Sequence, residues 1–160
     1  MSPVQGIRTP RGVLYRIGRL PDPSAFPPWH VQGHGRFDDP QRHAVVRLRV
    51  MPRQRWLDLR APATREVLRT ELAATLLTLG FSDLDLGHVL GSAQALTQAI
   101  SRWAHEQGYA GLAYPSRLDA KVTLWALFEG AAFASIGEPE PITPDDPDLA
   151  ATARLYGLLV

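Results

Sequence analysis

Residues 108–130, GYAGLAYPSRLDAKVTLWALFEG, contain two apolar runs separated by a short polar turn. The first run stops at Pro115, Ser116 and Arg117, and the second begins a few residues later. Apolar runs of this length, bounded by turn residues, predict two β-strands joined as a hairpin. A hairpin in a globular core explains the apolar runs. It does not explain a hydroxyl beside an arginine at the tip of the first strand, so this corner is the first candidate for chemistry.

The rest of the apolar pattern predicts further strands and two helices. The predicted strands span residues 12–17, 43–51 and 56–59. The first helix is expected from a cap at Thr64 to about Leu79, and the second from a cap at Ser92 to Gly108. The side chains expected to face the core are Val67, Leu68, Leu72, Leu76, Leu79, Leu96, Ala99, Ile100 and Trp103.

The chain is predicted to form one domain over residues 1–134, with no internal repeat. Prolines and glycines in residues 20–40 exclude a regular helix there, and the aromatic side chains of the same segment favour a packed loop. From Ser135 onward the sequence EPEPITPDDPD is rich in proline and acidic residues. Residues 135–160 are therefore predicted to be a linker and a C-terminal tail.

Composition and charge limit the partners and the cellular location that we expect for this chain. The net charge of the 160 residues is +1, which gives no overall electrostatic reason to expect nucleic acid or an anionic membrane as partner. The basic residues are nearly all arginine, with Lys121 as the one lysine; compositional bias and a need for planar guanidinium groups both fit this excess. There is no cysteine, secretory signal or membrane-length apolar run. A cytoplasmic protein is expected.

Metal and nucleic-acid sites have weak sequence support. His30 and His34 have the spacing of helical metal ligands, but the neighbouring prolines make a helix unexpected there, so no metal is predicted. The arginine-rich segment 42–60 contains no recognised nucleic-acid-binding motif, and its alternation fits a strand with one solvated face. No nucleic-acid partner is expected.

Four segments, in this order along the chain, carry a resemblance to a known family. They are LYRIGR, GHGRFDDP, ALTQAISRWAHEQG and GYAGLAYPSRLDAKVTLWALFEG. Together they resemble the RES domain family. The resemblance implies a single-domain α+β fold with a mixed, mostly antiparallel sheet and flanking helices, similar to ADP-ribosyltransferases. It also implies cleavage of NAD between nicotinamide and ribose, by phosphorolysis or hydrolysis, in proteins that often act as toxins beside a DNA-binding antitoxin. A homodimer is compatible with it.

The same resemblance implies roles for particular residues. The family's strand arginine, loop arginine and serine correspond to Arg16, Arg36 and Ser116, with Gly35 placed to let the loop backbone approach the ligand. NAD carries a diphosphate, which guanidinium groups bind through charge-assisted hydrogen bonds. Ser116 would bond the nicotinamide-side ribose or orient the nucleophile. Each residue also has an ordinary alternative: Arg16 and Arg36 as solvated charges, and Ser116 as a turn residue.

The chain departs from the family pattern at one place. GRFDDP runs almost directly into QRHAVVRLRV, so the strand and helix that bear the family's Tyr and Glu are missing. No residue inherits the role of that Glu; Asp38 and Asp39 are the nearest carboxylates that could replace it. Two hypotheses follow. The chain is either an NAD-cleaving enzyme with an unrecognised carboxylate, or an inactive protein of this fold that binds a nucleotide or a protein partner.

Overall fold

The computed structural model describes residues 13–19, 43–91 and 93–157. The chain divides into two compact units, of which the first contains the described residues from 51 to 132 and the second contains the others. The strands are β1 (Val13–Arg19), β2 (His43–Val50), β3 (Trp56–Asp58), β4 (Gly111–Pro115), β5 (Thr123–Leu127) and β6 (Phe133–Pro141). The helices are α1 (Pro62–Glu71), α2 (Ala73–Thr78), α3 (Leu86–Leu90), α4 (Gln94–Glu106) and α5 (Pro147–Tyr156).

The first unit is built on a three-stranded sheet in the order β3-β4-β5. The predicted hairpin is confirmed, since β4 and β5 pair antiparallel. β3 pairs parallel with β4, and α1 to α4 form the long connection that parallel neighbours require. At the entry to both strands, Arg55 donates to the carbonyl of Gln107 at 2.9 Å and lies over the Tyr109 ring.

The predicted helices are present, with two changes to the first, which begins at Pro62 rather than after the predicted cap Thr64. The helix expected from Thr64 to Leu79 is divided into α1 and α2, because Leu72 has φ −104° and ψ 17° and leaves helical geometry. The helix expected before Gly108 is α4, and Gly108 ends it with φ +75°. Ser92, its predicted cap, lies outside the described residues. The short α3 was not predicted; Asp85 caps it by accepting from the backbone N–H of His88 at 2.8 Å.

One face of the β3-β4-β5 sheet packs against α1 to α4. Leu57, Leu112 and Ala126 are register partners and so share a face. Leu57 and Leu112 belong to a buried cluster whose members between β3 and β4 include Leu68, Leu72, Leu76, Leu96 and Ile100. All five of those residues were predicted to face the core. This burial of apolar surface is the main source of stability of the first unit.

The opposite face of the same sheet has a different composition. Trp56 pairs with Gly111, and Asp58 pairs with Ala113, so two small residues of β4 lie beside large side chains of β3. Trp56 is fully buried and packs edge-to-face on Trp125 of β5, with ring centroids 5.5 Å apart. This face therefore combines aromatic packing with a buried carboxylate.

The second unit contains a three-stranded antiparallel sheet in the order β1-β2-β6, followed along the chain by α5. Residues 133–141 form β6, so part of the segment 135–160, which was predicted to be a linker and a C-terminal tail, is a strand. Its pairing with β2 contains a bulge beside Arg47, where Gly137 has φ +72°. Across the bulge, Arg47 pairs with Glu140 at 3.1 Å. The proline-rich and acidic composition did not exclude this strand, because proline and acidic residues are tolerated on an edge strand.

The predicted α+β class is confirmed, although the described strands form two small sheets rather than one. Of these strands, β3 and β4 are the parallel pair and the other pairings are antiparallel. Within the described ranges, no helix is both long and apolar enough to cross a bilayer.

Gly111→Ala should test how closely β3, β4 and β5 pack. A Cβ atom at position 111 would lie 2.1 Å from the carbonyl oxygen of Ala126 and 2.5 Å from Cζ3 of Trp56. We expect the free energy of unfolding to fall by about 2–3 kcal/mol, measured by urea denaturation. Gly130→Ala is the matched control, since a Cβ there meets nothing within 4 Å and only its φ of +87° opposes the change. A cost of about 1 kcal/mol is expected for that control, and equal costs at both glycines would contradict the packing explanation.

Asp83→Asn should reveal a carboxylate that stabilises the fold in its ionised form. The backbone N–H of Leu84, and then the guanidinium of Arg69, hold the pKa of Asp83 below its ordinary value. Because the pKa is lower in the folded state, this stabilisation is complete above the unfolded pKa of about 4 and is lost as the pH falls through the folded pKa. The variant should therefore be less stable than the parent at neutral pH, and the difference should shrink under acid.

The measurement is the urea midpoint of both proteins at about pH 7 and about pH 3. Glu71→Gln removes an exposed carboxylate from the end of α1 and serves as the control. A difference between Asp83→Asn and the parent that does not change with pH would contradict the assignment.

Candidate functional site

The candidate site is the corner between β4 and β5, residues 116–122, which carries Ser116. β4 ends at Pro115, whose register partner is Thr123, the first residue of β5. The corner is closed by the backbone N–H of Ser116, which donates to the carbonyl of Val122 at 2.9 Å, and by that of Val122, which donates to Asp119 at 3.0 Å. It is therefore an ordered turn.

The hydroxyl of Ser116 is oriented by the turn that it begins. Its Oγ accepts from the backbone N–H of Leu118 at 3.1 Å and from that of Asp119 at 3.4 Å. A hydroxyl has two acceptor positions and one proton to donate, so these bonds use its acceptor capacity. Within the described part of the chain no group accepts its proton. Ser116 is half-buried and is a turn residue, which was the alternative interpretation of its sequence position. Its hydroxyl is also oriented to donate a hydrogen bond.

A second polar group lies at the same end of the sheet. Asp58 ends β3, and both of its carboxylate oxygens accept from the guanidinium of Arg60, at 3.0 Å from Nε and 3.1 Å from Nη2. Arg60 also donates through Nη1 to the hydroxyl of Thr123. Asp58 and Arg60 have side chains that are only 12% and 25% exposed, so solvent screens their ion pair less than a surface pair.

The surface around the corner carries both basic and apolar side chains. Arg117 and Lys121 are exposed, and so are the apolar side chains of Leu118, Val122 and Leu124. Leu118 is 70% exposed. Exposed apolar groups concentrated in one turn are typical of an interaction surface.

Tyr114 of β4 lies close to the corner but belongs to the core side of the sheet. Its ring packs against the buried cluster. Burial raises the pKa of its phenol, because the charged form is disfavoured away from water.

The other predicted site residues are placed only in part. Arg16 lies in β1 of the second unit, opposite Val46 of β2. Arg36 and Gly35 lie outside the described residues, as do Asp38 and Asp39. The grouping of Arg16, Arg36 and Ser116 in one nucleotide site thus stays a prediction.

Sequence reasoning missed Asp58, Arg60 and Thr123. One signal could have found the first two: an aspartate inside the apolar run WLDL needs a buried partner, and Arg60 lies two residues later, at strand spacing. Thr123 had no such signal, because its contact joins residues that are 63 positions apart.

Comparison with known proteins identifies the family to which the matched part of the sequence corresponds. The sequence pattern of the RES domain matches residues 30–151, well over half of the chain. Searches of curated proteins and of solved structures find no match. The expected similarity to ADP-ribosyltransferases accordingly stays a prediction. β1 and Arg16 lie before the matched segment, whereas the whole β3-β4-β5 sheet, its helices and the Ser116 corner lie inside it. Because the match covers well over half of the chain, the chain belongs to the RES domain family.

Proposed function

We propose that this protein binds NAD with its nicotinamide-side ribose at the Ser116 corner and cleaves the bond between nicotinamide and ribose. The observation that carries the proposal is the orientation of Ser116, whose Oγ is held by two backbone N–H groups. A hydroxyl fixed in this way can donate a hydrogen bond to a ligand without first losing rotational freedom. Membership of the RES domain family supplies the substrate class.

The chemistry of this cleavage defines what the site must provide. Departure of nicotinamide builds positive charge on the ribose, and phosphate or water then takes its place at the same carbon. Arg16 and Arg36 are proposed to hold the diphosphate, with Gly35 allowing the close approach of the loop. Ser116 is proposed to position the ribose or the incoming nucleophile, which needs no base to ionise it.

A second candidate function is nucleotide binding without cleavage. The observation that favours it concerns Asp58, the one buried carboxylate among the described residues. Both of its oxygens accept from the guanidinium of Arg60, so the carboxylate is engaged in an ion pair. We therefore do not assign Asp58 the role of the family's missing Glu. Asp38 and Asp39 keep that role only as proposals.

A protein partner is the remaining part of the proposal. Family members often act as toxins beside antitoxins, and the exposed Leu118, Val122 and Leu124 would give a partner an apolar surface next to Ser116. A partner bound there would cover the candidate site and so block access of NAD to it.

The decisive measurement is the consumption of NAD by the purified protein, with and without phosphate. Ser116→Ala should lower kcat/KM about tenfold or more, because it removes the oriented donor. It should leave the fold intact, since Leu118 is exposed and water can accept its freed N–H. Arg36→Ala should weaken binding about 10- to 100-fold, as expected for a lost charge-assisted hydrogen bond. Ser135→Ala, an exposed serine of β6, is the matched control.

The outcomes separate the two candidate functions. Phosphate-dependent loss of NAD that falls in Ser116→Ala but not in Ser135→Ala supports cleavage by phosphorolysis, and loss without phosphate supports hydrolysis. Saturable binding of NAD without loss, weakened by Arg36→Ala, supports the binding protein. Neither turnover nor binding would refute both.

A further inference from the structure

We propose that Arg60 is a positioning residue for Ser116: held by Asp58, it fixes the start of β5 and thereby the corner that orients the serine hydroxyl. The functional consequence rests on the proposed role of Ser116 in NAD cleavage. The structural bridge, from Asp58 through Arg60 to Thr123, can be tested without that role.

The bridge spans two strands that are not neighbours in the sheet. β3 and β5 lie on either side of β4, so no backbone hydrogen bond joins them directly. Asp58 is opposite Ala113, and Thr123 is opposite Pro115, two residues further along β4. Asp58 and Thr123 therefore lie on the same face, and the small side chain of Ala113 leaves room on that face for a guanidinium to reach across.

Arg60 is fixed at both its backbone and its side chain. Its backbone N–H donates to Oδ1 of Asp58 at 3.0 Å, and its carbonyl accepts from Nη1 of Arg65 at 2.7 Å. The two-pronged contact with Asp58 then sets the plane of the guanidinium and directs Nη1 at Thr123. A guanidinium held in this way loses little further entropy when it makes the third contact.

Thr123 transmits this constraint to Ser116. The residue before it, Val122, supplies the carbonyl that accepts the N–H of Ser116 at 2.9 Å. Movement of Thr123 would therefore shift the acceptor that closes the corner. The same turn holds the N–H groups of Leu118 and Asp119 against the serine oxygen.

Thr123→Val is the cleanest test of the bridge. It removes the hydroxyl that accepts from Arg60 but keeps the β-branched shape and the ion pair between Asp58 and Arg60. Arg60→Ala is less suitable, because it would remove the guanidinium that pairs with the buried carboxylate of Asp58 and threaten folding. Thr123→Ser is the matched rescue, since it retains the hydroxyl.

The two variants separate the bridge from general strand stability. Valine favours β-strands more than serine does, so a purely structural effect predicts that Thr123→Val is at least as stable as Thr123→Ser. The bridge predicts the opposite order for the protection of the corner amides, which should be weaker in Thr123→Val than in Thr123→Ser. Amide hydrogen exchange of Ser116, Leu118 and Val122 should accelerate about tenfold in Thr123→Val and remain near the parent rate in Thr123→Ser.

Reference amides identify a global change. The amides of Ala110 and Phe128 make hydrogen bonds of 2.8 Å and 2.9 Å at the other end of the same sheet, and their exchange should not change. Equal acceleration at the corner and at these amides would overturn the bridge, as would an unchanged corner in Thr123→Val. Acceleration in Thr123→Ser equal to that in Thr123→Val would also overturn it.

Turnover of NAD then tests the functional consequence. We expect kcat to fall about tenfold in Thr123→Val and to recover in Thr123→Ser. A loosened corner with unchanged turnover would refute the positioning of Ser116 for catalysis. If the parent protein does not consume NAD, the proposed cleavage fails, and amide exchange alone decides whether the bridge orders the corner.

Discussion

The parallel pairing of β3 with β4 is the constraint on which the first unit depends. It requires Gly111, because any side chain at that position would collide with Trp56 and with the backbone of β5. Parallel pairing also brings the carboxyl ends of both strands to one edge of the sheet. Asp58 and Ser116 end up at that edge although almost sixty residues separate them in the chain.

Each end of this sheet is held by an arginine. Arg55 joins the entries of β3 and β4 through the carbonyl of Gln107 and the ring of Tyr109. Arg60 joins the far end of β3 to the start of β5. The helical core stabilises one face of the sheet, whereas these contacts fix the ends of the strands. Precise placement of Ser116 depends on the second kind of contact, since apolar packing is not directional.

The candidate site contains the family's serine, but, like the sequence, it offers no residue that corresponds to the family's Glu. Ser116 is placed and oriented, but the buried carboxylate nearest to it along the sheet edge is already paired with a guanidinium. The proposed binding of NAD rests on Ser116, whereas its proposed cleavage needs a carboxylate that is still to be assigned. Measuring binding and turnover separately is the sharpest use of the Ser116 and Arg36 variants.

The sequence by itself determined the local features of this protein. Alternation and turn residues predicted the hairpin of β4 and β5, and the leucine stripes predicted the buried faces of α1, α2 and α4, because both depend on neighbours a few residues away. Family motifs singled out Ser116. Only the tertiary structure decided that residues 133–141 form a strand and that Arg60 reaches Thr123. Those contacts join residues 63 or more positions apart, and no local pattern records which distant partner a strand or a guanidinium will meet.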